Sequence, residues 1–148
     1  MSEPGELLLV SACLAGQACR YDASAAPHPE VMRLAGLGRV LPVCPEVLAG
    51  LGVPREPMEW RAGRVVSRFG VDCTTALEAG ARKALAVALE KGCRRAVLKA
   101  RSPACGSGRI YDGTFSGWLI PGDGLLAALL KAEGIKVLTE DDLSPERG

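Results

Sequence analysis

Three short apolar runs, Leu7-Leu8-Leu9-Val10, Val40-Leu41-Pro42-Val43 and Ala96-Val97-Leu98-Lys99-Ala100, each lead within a few residues to a cysteine: Cys13, Cys44 and Cys105. Runs of this length without polar alternation predict strands covered on both faces, as in a parallel sheet flanked by helices. The loops at the carboxyl ends of such strands line a crevice, and neighbouring strands lie roughly 4.7–4.9 Å apart. Cysteines far apart in the chain are therefore expected to meet at one sheet edge. Three thiolates there resemble a metal site with one coordination position free.

A chain of 148 residues, 48% of them apolar, has the size of one domain and buries a core without disulfides. The expected division is a short flexible N-terminus (1–6), a single domain (7–139) and a polar C-terminal tail (140–148). Eighteen basic residues against 17 acidic ones leave no electrostatic footprint for duplex nucleic acid or an anionic membrane. No apolar run approaches the roughly 20 residues of a spanning helix, and Met1 to Glu6 lacks the basic start of a signal peptide. A cytoplasmic protein, monomeric or weakly dimeric, is the expectation. Six cysteines in that compartment are expected to be reduced, which favours metal binding or catalysis over a disulfide scaffold. With only two Phe, two Tyr and two Trp, the core must rest on Leu, Val, Ile and Ala.

The order of elements follows from punctuation. The first strand (about 7–12) ends in Cys13-Leu14-Ala15-Gly16-Gln17; a short helix after Pro27-His28-Pro29 runs to about Leu34, and Gly36 and Gly38 close it. The second strand (39–43) is followed at once by Cys44-Pro45-Glu46. Residues 50–68, rich in Gly, Pro and Arg, predict irregular structure with a small strand at Arg64-Val65-Val66, able to form a lid or wall. From Asp72 to Lys91, Leu77, Ala81, Ala84, Leu85 and Ala88 keep helical spacing, Thr75 and Glu78 suit a capping box, and Gly92 supplies a stop. The third strand (96–100) opens into Arg101 to Gly108, a last helix (123–133) carries Leu125, Leu126, Leu129 and Leu130, and a strand follows at 136–138. Beyond Glu140 the polar tail is expected to fray. The sum is an α/β fold: a single-domain layered sandwich, Rossmann-like, with a mostly parallel central sheet flanked by helices.

Proline beside the thiol in Cys44-Pro45-Glu46 and in Ser102-Pro103-Ala104-Cys105-Gly106 stiffens both loops, as a preorganised site requires. Soft thiolates select zinc or iron–sulfur clusters, yet structural zinc sites favour Cys-x-x-Cys pairs, and none is present. The competing reading is that each cysteine is a small buried apolar residue. Cys19 can be a fourth ligand, a resolving thiol or a packed loop residue; Cys73 begins a helix, and Cys93 reads as structural. The lone His28 gives neither a Ser-His-Asp nor a histidine-rich zinc mechanism a partner. Glu46 is a candidate general acid or base, equally readable as a glutamate favoured at a helix start. Ser11 and Ser102 offer hydroxyl donors, or ordinary turn hydroxyls. Gly106-Ser107-Gly108 lacks a nucleotide-binding glycine pattern.

Together the motifs Val10-Ser11-Ala12-Cys13-Leu14, Cys19-Arg20-Tyr21-Asp22, Pro42-Val43-Cys44-Pro45-Glu46, Leu98-Lys99-Ala100-Arg101-Ser102-Pro103 with Cys105-Gly106, and Ile110-Tyr111-Asp112-Gly113-Thr114-Phe115-Ser116-Gly117 resemble the domain-of-unknown-function 523 family. Its characterised members are thiouracil desulfurases. The resemblance, over about residues 8–140, implies a 4Fe-4S cluster held by Cys13, Cys44 and Cys105, with a fourth iron open to the sulfur of a thiolated base. It implies Glu46 as proton handler and Ser102 as substrate-orienting hydroxyl, and Ser11, Lys99 and Asp112 stand as substrate-binding candidates. Ala104 stands where serine is common in the family, and Ala23 where glycine is common. The implied activity is non-redox desulfuration of a 2-thiouracil-like base or similar small thioamide. The alternatives are a sulfide or persulfide carrier, a zinc-stabilised binding module, and a thiol-redox protein using Cys13 and Cys19.

Overall fold

A computed structural model of the chain describes residues 6–143. Strand β1 (Leu8–Ser11) runs into a 3₁₀ turn at Ala12–Ala15, followed by helix α1 (Pro29–Gly36), strand β2 (Val40–Val43) and the one-turn helix α2 (Pro45–Leu48). A hairpin of β3 (Met58–Arg61) and β4 (Arg64–Ser67) precedes the long helix α3 (Thr74–Glu90). Strand β5 (Arg95–Leu98), a second small hairpin of β6 (Arg109–Tyr111) and β7 (Leu119–Pro121), helix α4 (Leu125–Ala132) and strand β8 (Lys136–Thr139) complete the order. Arg64-Val65-Val66 does form a strand, within β4.

The central sheet has four strands in the order β2-β1-β5-β8, all parallel, as the unbroken apolar runs require. Alternation across the pleat divides the core. Leu9, Ala96 and Leu98 pack with Leu77, Ala81, Ala84 and Ala88 of α3 and Leu126 and Leu130 of α4. Val10 and Val97 face the other way, toward Val31 of α1, Leu14 and Cys19. Helices thus cover both faces, giving the layered α/β architecture. Chain order reverses between β1 and β5, so the loops leaving these strands diverge and open a crevice at their carboxyl ends. The loops bearing Cys13 and Cys105 leave from that point, and Cys44 follows the neighbouring β2.

Three expectations are corrected. The Thr75–Glu78 capping box does not form: Asp72 Oδ1 instead accepts the Thr74 N–H at 2.9 Å, Thr74 Oγ1 accepts the Val65 N–H at 2.7 Å, and Glu78 pairs with Arg82. Helix α3 therefore starts two residues earlier, with Cys73 before its first turn, and is tied to β4. The frayed tail does not begin at Glu140, because Glu140–Asp142 make a 3₁₀ turn with a capping box at Thr139. Glu140 accepts the Ala100 N–H at 2.7 Å and pairs with Lys99 at 2.8 Å, while Asp141 pairs with Arg101. Residues 57–68 and 109–121 hold regular hairpins, where the sequence suggested irregular structure and a glycine-punctuated loop. The rest of the expected tail, 144–148, and residues 1–5 of the expected flexible N-terminus lie outside the described residues. No helix among the described residues is long and apolar enough to cross a membrane.

Candidate active site

The crevice widens into a cavity of about 460 Å³, within the range of small-molecule sites. Cys13, Cys44 and Cys105 all line it, together with Glu46 and Ser102. Each reaches the cavity by a different local device. Cys13 sits in the 3₁₀ turn that ends β1, closed by Gly16 at φ 95°, a value suited to glycine. Cys44 is the residue before α2, whose first turn holds Pro45 and the buried Glu46. That short helix reaches its place because α3 carries Gly80 where they touch; a Cβ there would lie 2.1 Å from the Pro45 carbonyl oxygen.

Cys105 lies in a loop held from several sides. Ser102 Oγ accepts the N–H groups of Ala104 and Cys105 at 3.2 and 3.1 Å. At the start of α4, the N–H groups of Leu125 and Leu126 donate to the carbonyls of Pro103 and Ala104, and that of Gly124 donates to Gly106. Trp60 of β3 donates from Nε1 to the Pro103 carbonyl at 3.0 Å, fastening the first hairpin to the same loop.

The electrostatics favour a cationic occupant. Burial pushes the Cys13 thiol up to about 11, opposed by the nearby Lys99 and Arg20. Burial, reinforced by the Glu46 carboxylate, pushes Cys44 up to about 12, and burial holds Cys105 well above the ordinary thiol range. Three thiols whose bare anions are disfavoured surround one space, so a soft metal centre would supply the charge that the protein withholds. Among the described residues no three His, Cys, Asp or Glu side chains gather about a single-ion position.

The other expected residues divide. Lys99 lines the cavity, with its ammonium held by Glu140. Ser11 also lines it, with Oγ accepting the Lys99 N–H at 2.8 Å. Asp112 is not among the cavity-lining residues: its Oδ1 accepts the N–H and hydroxyl of Thr114, closing a turn. Cys19 is buried and packed, yet it also lines the cavity near Cys44, whose thiol lies 3.8 Å from the Cys19 carbonyl oxygen. Cys93 is buried in the core before β5, at the opposite end of the sheet. His28 caps α1, accepting the Glu30 N–H on Nδ1.

The sequence pattern of the 2-thiouracil desulfurase family matches residues 8–142, nearly the whole of the described chain. The chain belongs to the 2-thiouracil desulfurase family. It is 41% identical over 148 residues to the uncharacterised protein YbbK of Bacillus subtilis strain 168, covering 93% of this chain and 98% of that protein. It is also similar to the solved structure of TudS, a 4Fe-4S-dependent thiouracil desulfidase, with 45% identity, a TM-score of 0.87, and 95% and 94% of the two chains covered.

Within this desulfurase-family chain, several lining residues were not legible as site residues in the sequence: Arg55, Glu59, Arg68 and Phe115. Arg55 donates from its guanidinium to the carbonyls of Cys19 and Gly52 and from its backbone to Tyr21, joining the segment before the hairpin to the Cys19 loop. Residues 55–59 and Arg68, within the 50–68 segment, thus form one wall of the cavity. Ala23, which the family resemblance marks as a departure from glycine, has φ 65°, a left-handed conformation that glycine adopts more readily.

Proposed function

We propose that this chain is a 4Fe-4S-dependent desulfurase that exchanges the sulfur of a 2-thiouracil-like base for oxygen. The observation that carries the reading is the convergence of Cys13, Cys44 and Cys105 with Glu46 and Ser102 on one cavity. Membership of the family and the likeness to TudS support it.

In this reading Cys13, Cys44 and Cys105 hold the cluster. When bound, it supplies a Lewis-acidic iron with a coordination position open to sulfur. The chain's own residues do the rest. Ser102 Oγ already accepts two backbone N–H groups, so its hydroxyl proton is the part left to donate to the substrate ring. Glu46 removes a proton from the water that attacks the sulfur-bearing carbon and returns it to the departing sulfur. The balance is thiouracil plus water giving uracil plus hydrogen sulfide, with no net oxidation or reduction. Lys99, fixed by Glu140, places positive charge beside Cys13 and favours its thiolate. Ser11, on the cavity wall, serves as a substrate-binding hydroxyl.

The test is substitution of each thiol followed by anaerobic reconstitution. Cys13→Ala, Cys44→Ala and Cys105→Ala are expected to lose iron, visible absorbance and sulfide release from 2-thiouracil. Cys19→Ser and Cys93→Ala should keep all three. Retention of a full cluster in the Cys44 variant, or its loss in the Cys19 variant, would reassign the ligands.

A further inference from the structure

We infer that Phe115 is the surface on which the substrate ring stacks, and that Glu59 positions it; the inference rests on the desulfurase reading of the cavity. Phe115 is one of only six aromatic residues in the chain, and it lines the cavity. Its backbone is left-handed, with φ 57°, a conformation that a bulky residue keeps only where its surroundings enforce it. Those surroundings are specific. Glu59 Oε1 on β3 accepts the N–H of Phe115 at 3.1 Å and that of Gly113 at 3.0 Å, so one carboxylate gathers both ends of the turn. Gly113 is seated on the strand so closely that a Cβ would lie 2.6 Å from the Trp60 carbonyl oxygen.

The Arg68 guanidinium stands over the Phe115 ring, 5.8 Å from its centroid, and Arg68 lines the cavity too. One ring face is thereby covered by a cation, and the stacking assigned here uses the opposite one. Strain held in place by two aimed hydrogen bonds, at a residue that makes a cavity wall, is the arrangement expected of a ligand-contacting side chain. A planar pyrimidine matches that wall; an acyclic thioamide offers no ring to stack. Phe115 is therefore assigned as a specificity residue, selecting cyclic thioamides over acyclic ones.

The experiment compares 2-thiouracil with thioacetamide on anaerobically reconstituted protein, and measures uracil binding to the same preparations by calorimetry. Phe115→Ala and Phe115→Leu should each raise KM for 2-thiouracil and weaken uracil binding by about tenfold, within the range of base–aromatic stacking. Their kcat should change little, and the KM for thioacetamide should stay within twofold. Phe115→Trp should restore uracil binding. Phe69→Ala, at an exposed residue outside the cavity, should change neither. Glu59→Gln should raise KM for 2-thiouracil alone, and no further in a chain already carrying Phe115→Ala. Unchanged uracil binding in both Phe115 variants, or equal losses for the two substrates, would overturn the assignment while leaving sulfide release by the parent protein intact. A parent protein that neither binds uracil nor releases sulfide would overturn both readings.

Discussion

The hydroxyl oxygen of Ser102 accepts the backbone N–H of Cys105 at 3.1 Å, so the residue proposed to orient substrate also fixes the loop of a proposed cluster ligand. The two roles separate by substitution. Ser102→Ala removes both the outward donor and the internal acceptor, leaving two N–H groups to find other partners. The expected result is loss of most turnover together with faster cluster loss in air, followed by absorbance decay. Ser102→Thr keeps the acceptor and should retain the cluster at the parent rate.

Glu46 is buried, lines the cavity, and has Oε1 3.6 Å from the Cys44 sulfur. Glu46→Gln preserves shape while removing the group that takes up a proton. Cluster content should be unchanged and kcat should fall by about 10²–10⁴-fold, the usual contribution of proton transfer. Equal kcat in the variant would remove Glu46 from the mechanism.

Gly80 carries a prediction about how the fold serves the site. The Cβ of Gly80→Ala would fall 2.1 Å from the Pro45 carbonyl oxygen and 2.7 Å from the Ala49 nitrogen, both backbone atoms. Helix α2 must move, and Cys44 and Glu46 with it. Overpacking of this kind costs about 1–3 kcal/mol, so the midpoint of denaturant unfolding should fall, and iron retention should fall with it. An exposed helix position such as Glu90→Ala should show neither effect.

Asp72 links stability to pH. Hydrogen bonding to Arg64, then to Thr74, brings its carboxyl from an ordinary value of 3.8 down to about 2. A group whose pKa is lower folded than unfolded stabilises the fold above its unfolded value, and that contribution disappears as pH falls through the folded one. Its share should be complete above pH 4 and lost near pH 2. Melting temperatures measured across that interval should fall less for Asp72→Asn than for the parent, with the two curves approaching at the acid end.

The sequence carried the sheet because the runs at Leu8, Val40 and Ala96 are continuously apolar, and hydrophobic period is a local property. It also carried the cysteine convergence, since parallel strands put their following loops at one edge. The first hairpin was less legible. Met58–Arg61 passes from buried to exposed without the alternation that marks a strand, it lies in a stretch rich in Gly, Pro and Arg, and the interaction that uses Glu59 reaches across 56 positions to Phe115. Asp112 does not line the cavity, whereas Tyr111 and Phe115 of the same motif do. The same limit applies to Glu140, whose partners at Lys99 and Ala100 are brought beside it by the pairing of β8 with β5. Contacts of this separation follow from topology, and only a folded chain displays them.

The central claim is tested most directly by sulfide release from 2-thiouracil, with iron bound per chain measured on the same anaerobic samples. Chains reconstituted to different extents should release sulfide and form uracil in equal amounts, at rates proportional to cluster content, and chains without iron should release none. Full activity in iron-free protein, or a fully loaded cluster with no sulfide released, would contradict the account.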